Sequence, residues 1–156
     1  MAMNFDELAT ISAAHLAKSI DLNHHGTLFA GRMAEWTVET GFLTARAALD
    51  CDADSLVCAR LHGMDFGRSI PKGSTVVLNG RAAHVGRSSI TIQIQAHVLV
   101  KGGQALAATS GYATFVHVSE GRATPHGRGV DPPVDTAGRA IWDEVVAERK
   151  QRRSKA

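Results

Sequence analysis

Gly31-Arg32-Met33-Ala34-Glu35-Trp36-Thr37-Val38-Glu39-Thr40-Gly41-Phe42-Leu43-Thr44-Ala45-Arg46-Ala47-Ala48-Leu49 is the stretch whose reading decides the fold. Met33, Trp36, Thr37, Thr40, Phe42, Ala45 and Ala48 recur at helical spacing and form a wide apolar stripe rather than a narrow seam. The segment therefore predicts one long helix that is buried along most of its length. Asn23-His24-His25-Gly26 before it is a polar, glycine-containing loop, and Cys51-Asp52-Ala53-Asp54 after it is a polar break. Further upstream, Ile11 to Leu22 alternates loosely, and the stretch around His15, Ala17 and Ser19 reads as a first strand.

Downstream of the break, residues 55–118 are strand material. Leu56 to Leu61 leads on to Phe66, and Ile70-Pro71-Lys72-Gly73 turns the chain. Thr75 to Leu78 continues to Val85, and Gly86-Arg87-Ser88-Ser89 makes a hairpin turn. Ile90 to Ala96 alternates strictly, which predicts one buried and one wet face. Lys101-Gly102-Gly103 signals another hairpin, and Leu106 to Val118 is the last strand. A Gly/Pro/Arg-rich stretch then runs to Val134, followed by a short amphipathic helix from Gly138 to Arg149 with Ile141, Trp142, Val145 and Val146 on its apolar side. The expected fold class is α+β, an antiparallel sheet of about five strands wrapped around the single long central helix. Residues 1–120 form the domain, and 121–156 a linker and basic C-terminal helix. One helix covers only part of such a sheet, so further surface is expected to be buried by self-association.

Composition excludes several classes of function. The 156 residues are 44% hydrophobic and 21% charged, ordinary for one folded unit. The net charge of +2 owes much to Arg149, Lys150, Arg152, Arg153 and Lys155, a tail that reads as a solvated helix end. No aromatic-plus-basic pattern supports nucleic-acid binding. No apolar run reaches the roughly 18–20 residues of a membrane span. Cys51 and Cys58 suggest no disulfide framework or zinc signature, and adjacent His24 and His25 are poor metal geometry. A cytoplasmic enzyme without metal or cofactor is expected.

Asp21-Leu22-Asn23-His24-His25-Gly26-Thr27-Leu28-Phe29-Ala30-Gly31 resembles the stretch that leads into the central helix in acyl-CoA thioesterases of the hotdog fold. The resemblance continues at Gly63-Met64-Asp65-Phe66 with Pro71 and Gly73, at Gly86-Arg87-Ser88-Ser89-Ile90, and at Tyr112-Ala113-Thr114-Phe115-Val116. It covers roughly residues 15–120, and its strength lies in the ordered series rather than in any single piece. It implies a hotdog-fold acyl-CoA hydrolase acting as a homodimer, with three dimers often joined into a hexamer. It also implies a site in which a loop asparagine of one protomer faces a helix carboxylate of the other.

Thioester hydrolysis needs an activated water or a carboxylate nucleophile, and donors for the oxygen that becomes anionic. The first amides of a buried helix are unpaired and sit at its positive end. Ala30 and Gly31 occupy that point. Asn23 either orients a water or the carbonyl, or serves as a turn residue. The position where the family carries its carboxylate is Val38 here, which can neither activate water nor attack. Glu39 and Glu35 are the neighbouring candidates, with Glu39 preferred. His62 stands where many relatives have aspartate. If residues 62, 64 and 66 share a strand face, it enters the pocket or the dimer interface as a general acid or a partner to Glu39. Arg87, Ser88 and Ser89, with Arg68, Lys72 and Arg32, are candidates for holding CoA.

The missing carboxylate at Val38 keeps a second reading open. That is a CoA-ester lyase or hydratase resembling 3-aminobutyryl-CoA ammonia-lyase, although no D-x-x-x-x-H hydratase motif is evident. A non-catalytic acyl-CoA sensor is the third reading, and it lacks an effector domain.

Overall fold

Helix α1 spans Ala30–Leu49. It buries Met33, Trp36, Thr37, Thr40, Gly41, Thr44, Ala45, Ala48 and Leu49, the stripe expected from the spacing except at Phe42. That ring is only partly buried and looks into a lateral groove. The computed structural model describes residues 2–156. In it, α1 lies against the inner face of a six-stranded antiparallel sheet.

The strands are β1 (Ile11–Leu16), β2 (Leu56–Phe66), β3 (Thr75–Val85), β4 (Ser89–Leu99), β5 (Ala105–Ser119) and the short β6 (Arg122–Ala123). The order across the sheet is β1-β3-β4-β5-β2, with β6 paired to the end of β5. This is the hotdog arrangement, with the helix as filling and the sheet curled around it.

The close seating of α1 follows from small residues. A Cβ on Gly80 in β3 would run into the Thr44 hydroxyl, and one on Gly41 would stand 3.1 Å from the Phe115 ring. Val76, Leu78, Ile90, Ile92, Ile94, Ala113 and Phe115 complete the inner layer, all essentially inaccessible to solvent.

The first strand ends earlier than its alternation suggested, at Leu16. Asp21 is the cause. Its carboxylate Oδ2 accepts from the Lys18 amide at 2.9 Å, and its own amide donates to Lys18 O at 2.9 Å, so a single 3-10 turn at Ser19–Asp21 replaces extended backbone.

The second correction concerns β4, where the supposed wet face is buried at Thr91 and Gln93 and exposed at Gln95. Thr91 is 1% and Gln93 7% exposed. Thr91 shares a 2.8 Å hydrogen bond with Thr114. Gln93 accepts from Arg81 Nε at 2.9 Å and donates to the Tyr112 hydroxyl at 3.2 Å. Cross-strand polar pairs of this kind satisfy one another without bulk water.

The outer face is also where α2, Thr136–Ser154, packs. Asp135 caps it by accepting from the Gly138 amide at 2.8 Å. Trp142 and Val145 are buried there, with the indole 4.4 Å from the His84 ring and 5.6 Å from Phe5. Glu148 reaches β2, pairing with Arg60 at 2.7 Å and His62 at 3.3 Å.

Burial beneath Trp142, reinforced by the Arg149 guanidinium, lowers the His84 pKa to about 4. The unfolded chain therefore takes up this proton more readily than the folded one. The resulting stability is present above the ordinary histidine pKa of roughly 6.5 and is lost as pH falls toward 4. The unfolding free energy measured in urea should fall by about 2 kcal/mol between pH 7 and 5. His84→Gln should flatten that slope, whereas an unchanged slope would place the sensitivity elsewhere. Trp142→Ala should cost about 3 kcal/mol, and a loss below about 1 kcal/mol would show α2 to be only loosely seated.

Candidate active site

The N-terminus of α1 and the loop before it enclose a cavity of about 160 Å³ lined by Asn23, Thr27, Ala30, Met33, Phe66, Arg68 and Thr109, among others. The loop is held by its own polar groups. Asn23 Oδ1 accepts from the amides of His25 at 2.9 Å and Thr27 at 3.2 Å, and the Asn23 amide donates to Thr27 O at 2.8 Å. Asn23 thus shapes the turn and also lines the cavity. The two functions weighed for it are compatible, because the turn uses its carbonyl oxygen while its NH2 group meets only Thr27 Oγ1, at 3.2 Å.

At the helix start, the N-cap residue is Phe29, which offers no side-chain acceptor. The amides of Arg32 and Met33 both turn back to Phe29 O, at 3.0 and 3.2 Å. Ala30 and Gly31 are left at the positive end without a capping side chain, beside the cavity. A Cβ on Gly31 would meet only the ring of Phe29, an exposed side chain free to turn aside.

The sequence did not reveal how this end is anchored. Asp21 is 5% exposed, accepts from the Lys18 amide, and pairs through Oδ1 with Arg32 Nε at 3.1 Å. Arg32 also holds Glu35 at 2.9 Å. A buried aspartate paired with the first turn of the helix fixes the loop to α1. The quoted Asp21-to-Gly31 stretch contained the signal, but the pairing distance in sequence is set by the loop geometry and could not be read from spacing.

The carboxylates are separated by these contacts. Glu35 is committed to Arg32. Glu39 makes no ion pair among the described residues and stands exposed at the edge of an apolar groove of about 680 Å³. Ala34, Val38, Phe42, Leu43, Cys58 and Phe115 line that groove. Glu39 is nine residues beyond Ala30, about 14 Å along the axis at roughly 1.5 Å per residue. In one chain it therefore does not meet Asn23.

His62 requires a correction. It was expected on one face with Met64 and Phe66, toward α1, but it points to the outer face. Gly63 takes φ +58° in a bulge between His62 and Asp65, and an extra residue in the strand reverses the alternation. His62 lies opposite Tyr112 with its Nε2 3.1 Å from Thr114 Oγ1 and its Nδ1 against Glu148. Burial lowers its pKa despite the Glu148 carboxylate. The sheet stands between this imidazole and the cavity at Asn23.

The CoA-binding candidates are also dispersed. Arg68 lines the Asn23 cavity and donates to Ala107 O at 3.2 Å. Lys72 lies in the exposed turn that precedes β3. Arg87, Ser88 and Ser89 form the β3–β4 turn, at the far end of β3. That is ten residues from the Asn23 end, about 33 Å at roughly 3.3 Å per residue. Among the described residues, no three His, Cys, Asp or Glu side chains gather as a metal site. Likewise, no helix is long and apolar enough to cross a membrane.

Comparison with known proteins agrees with this arrangement. A family model described as the thioesterase superfamily matches residues 25–100. An uncharacterized acyl-CoA thioester hydrolase, YkhA of Bacillus subtilis, is 32% identical over 109 residues, or 68% of this chain. The match spans 61% of that relative's length. An acyl-CoA hydrolase from Staphylococcus aureus, solved with butyryl-CoA, CoA and CoA disulfide, superposes with a TM-score of 0.83 at 24% identity, over 99% of this chain and 94% of that one. The hexameric thioesterase y2039 from Yersinia pestis gives 0.65 at 29% identity, over 76% of this chain and 93% of its own. With its helix seated in a curled antiparallel sheet, the chain has the hotdog fold, and over residues 25–100 its sequence is similar to the thioesterase superfamily.

Proposed function

We propose that the protein hydrolyses an acyl-CoA thioester to the free acid and CoA, at a site completed by a second copy of the chain. The observation that carries this reading is the cavity at Asn23, which opens onto the uncapped start of α1. Donors directed at a point where negative charge develops are what thioester cleavage requires, and each is worth about 3–4 kcal/mol in the transition state.

The same chain lacks a base at that point, since Glu39 lies a helix-half away and Glu35 is engaged by Arg32. A second copy supplies it. β2 is an 11-residue strand at the sheet edge, and Val57, Leu61 and Phe66 on it are exposed. Such an edge favours pairing with another strand. A two-fold partner joined there would run its β2 antiparallel to this one and lay its α1 across the apolar groove. Glu39 of one protomer would then approach Asn23 of the other, in a covered, water-poor setting. Three such dimers would make the hexamer.

In this scheme Glu39 takes a proton from the attacking water, which the Asn23 amide orients. The tetrahedral oxyanion is held by the amides of Ala30 and Gly31. Collapse expels the CoA thiolate, which takes the proton back from Glu39. Arg68 is the cation nearest the cavity for the CoA chain. Free Cys51 and Cys58 suit a reducing compartment such as the cytoplasm.

Glu39→Gln should lower turnover in a thiol-release assay about 10²-fold while acyl-CoA binding stays near normal. Mixed dimers of Glu39→Gln with Asn23→Ala should recover one working site, because the two residues come from different chains. Loss of activity in Glu35→Gln alone would move the base one turn down the helix. Conversion of the acyl group to an unsaturated product, with no thiol released, would replace hydrolysis by the lyase reaction.

A further inference from the structure

Between β6 and α2 the chain lies extended against the β3–β4 hairpin. Thr124, His126, Arg128 and Val130 are half-buried, while Pro125, Gly127 and Gly129 are exposed. That is the two-residue alternation of a strand seated on one face. Few backbone bonds hold this strap. The Thr124 amide donates to His117 O at 2.9 Å, the His126 amide donates to Arg87 O at 3.2 Å, and Gly129 O accepts from the Met3 amide at 2.8 Å. Between these points it depends on one imidazole.

His126 uses both of its ring nitrogens. The Arg128 backbone amide donates to Nδ1 at 3.1 Å, so Nδ1 carries no proton. Nε2 carries it instead and donates to Gly86 O at 2.6 Å. Gly127, at φ +77°, turns the chain back so that the Arg128 amide meets the ring. Only the neutral imidazole makes both bonds. A second proton, on Nδ1, would set one N–H against another and end the Arg128 bond. The neighbouring His117 differs, because its Nδ1 donates to Thr124 O at 2.9 Å, a bond open to either protonation state.

The surroundings oppose that second proton. Facing His126 are His117 of β5, with ring centroids 6.5 Å apart, and Arg128 of the strap itself. The hairpin presents Arg87, whose carbonyl holds the His126 amide. From α2 comes Arg149, whose Nη1 would stand 2.8 Å from a Cβ on Gly86. Among the described residues, no carboxylate lies within ion-pair distance of His117 or His126, and Asp50 is held by Arg128 at 3.2 Å. Burial lowers the His126 pKa; the Gly86 carbonyl pulls the other way, and the His117 and Arg128 charges add to the lowering.

We infer that His126 is the pin of an acid-released clasp: neutral, it fastens residues 124–130 against the Gly86–Ser89 turn, and its protonation frees them. The clasp is fully present above the ordinary histidine pKa of roughly 6.5 and is lost as pH falls through the lower value of the closed state. Opening uncovers the hairpin turn and parts the strap from Met3, while Trp142 and Val145 keep α2 seated. It is a local event, unlike the effect of His84 on the whole fold. It does not depend on the hydrolase reading.

Hydrogen exchange of the full chain, followed amide by amide with the His126 imidazole titrated by NMR in the same sample, tests the clasp. Between pH 7 and 5, protection factors of the Thr124, His126 and Arg128 amides should fall about tenfold, the scale of one hydrogen bond lost with a charge left facing its donor. The fall should track the His126 titration. The variant His126→Asn supplies an oxygen for the amide two residues on, as asparagine does in turns, and does not titrate. Its three strap amides should lose their pH dependence, whether the strap rests closed or open, while the β4 amides keep theirs. Retention of the native pH dependence in His126→Asn would overturn the proposal, as would native protection that does not change with pH. Strap amides as protected as those of β4 at every pH would overturn it too, since they would then open only with the whole fold.

Discussion

A single helix must cover the inside of a curled sheet, and it does so by lying almost on the backbone. The contact of Thr44 with Gly80 and of Gly41 with the Phe115 ring sets that distance. Interiors pack at crystal-like density, so a gap of one methyl group at this seam would weaken every contact along α1. The position of the helix start follows from the same contact. With α1 fixed on β3 and β5, its first amides fall beside the Asn23 loop, and the Asp21–Arg32 pair ties the loop to the helix. The geometry of the candidate site is therefore a by-product of core packing as much as of local loop chemistry.

The two faces of the sheet have separate tasks. The inner face is apolar and holds the helix. The outer face carries a row of polar side chains that bond to one another across β3, β4 and β5, and α2 closes over part of it. His62, Glu148 and Arg60 belong to this outer layer. Its polar groups are nearly all paired, and a buried network of that kind favours one register over its neighbours.

Much of this was legible in the sequence. The stripe on residues 31–49, the hairpin signals at Gly86 and Gly102, and the ordered motifs gave the element order and the helix-in-sheet arrangement. What was not legible had local physical causes. The strand ending at Leu16 depended on a carboxylate capturing an amide three residues back. The facing of His62 depended on a bulge at Gly63, and alternation counted from sequence cannot register an unpaired residue. The burial of Thr91 and Gln93 depended on cross-strand partners far away in the chain. At the site, residue types were readable but their company was not: the sequence favoured Glu39 over Glu35 without showing that Arg32 engages Glu35.

The bare start of α1 carries a thermodynamic cost. A serine or aspartate at the cap position ordinarily adds about 1 kcal/mol to a helix, and Phe29 forgoes it. In a protein whose whole margin is on the order of 10 kcal/mol, that is a standing sacrifice of robustness for unoccupied donors. Thermostabilisation by filling this cap would therefore work against the protein. A carboxylate or hydroxyl placed at position 29 would occupy the amides itself and, in the proposed reaction, compete with the oxyanion for them. Stabilising substitutions are better sought at the far end of the helix or along the outer layer, where rigidity and reactivity do not draw on the same atoms.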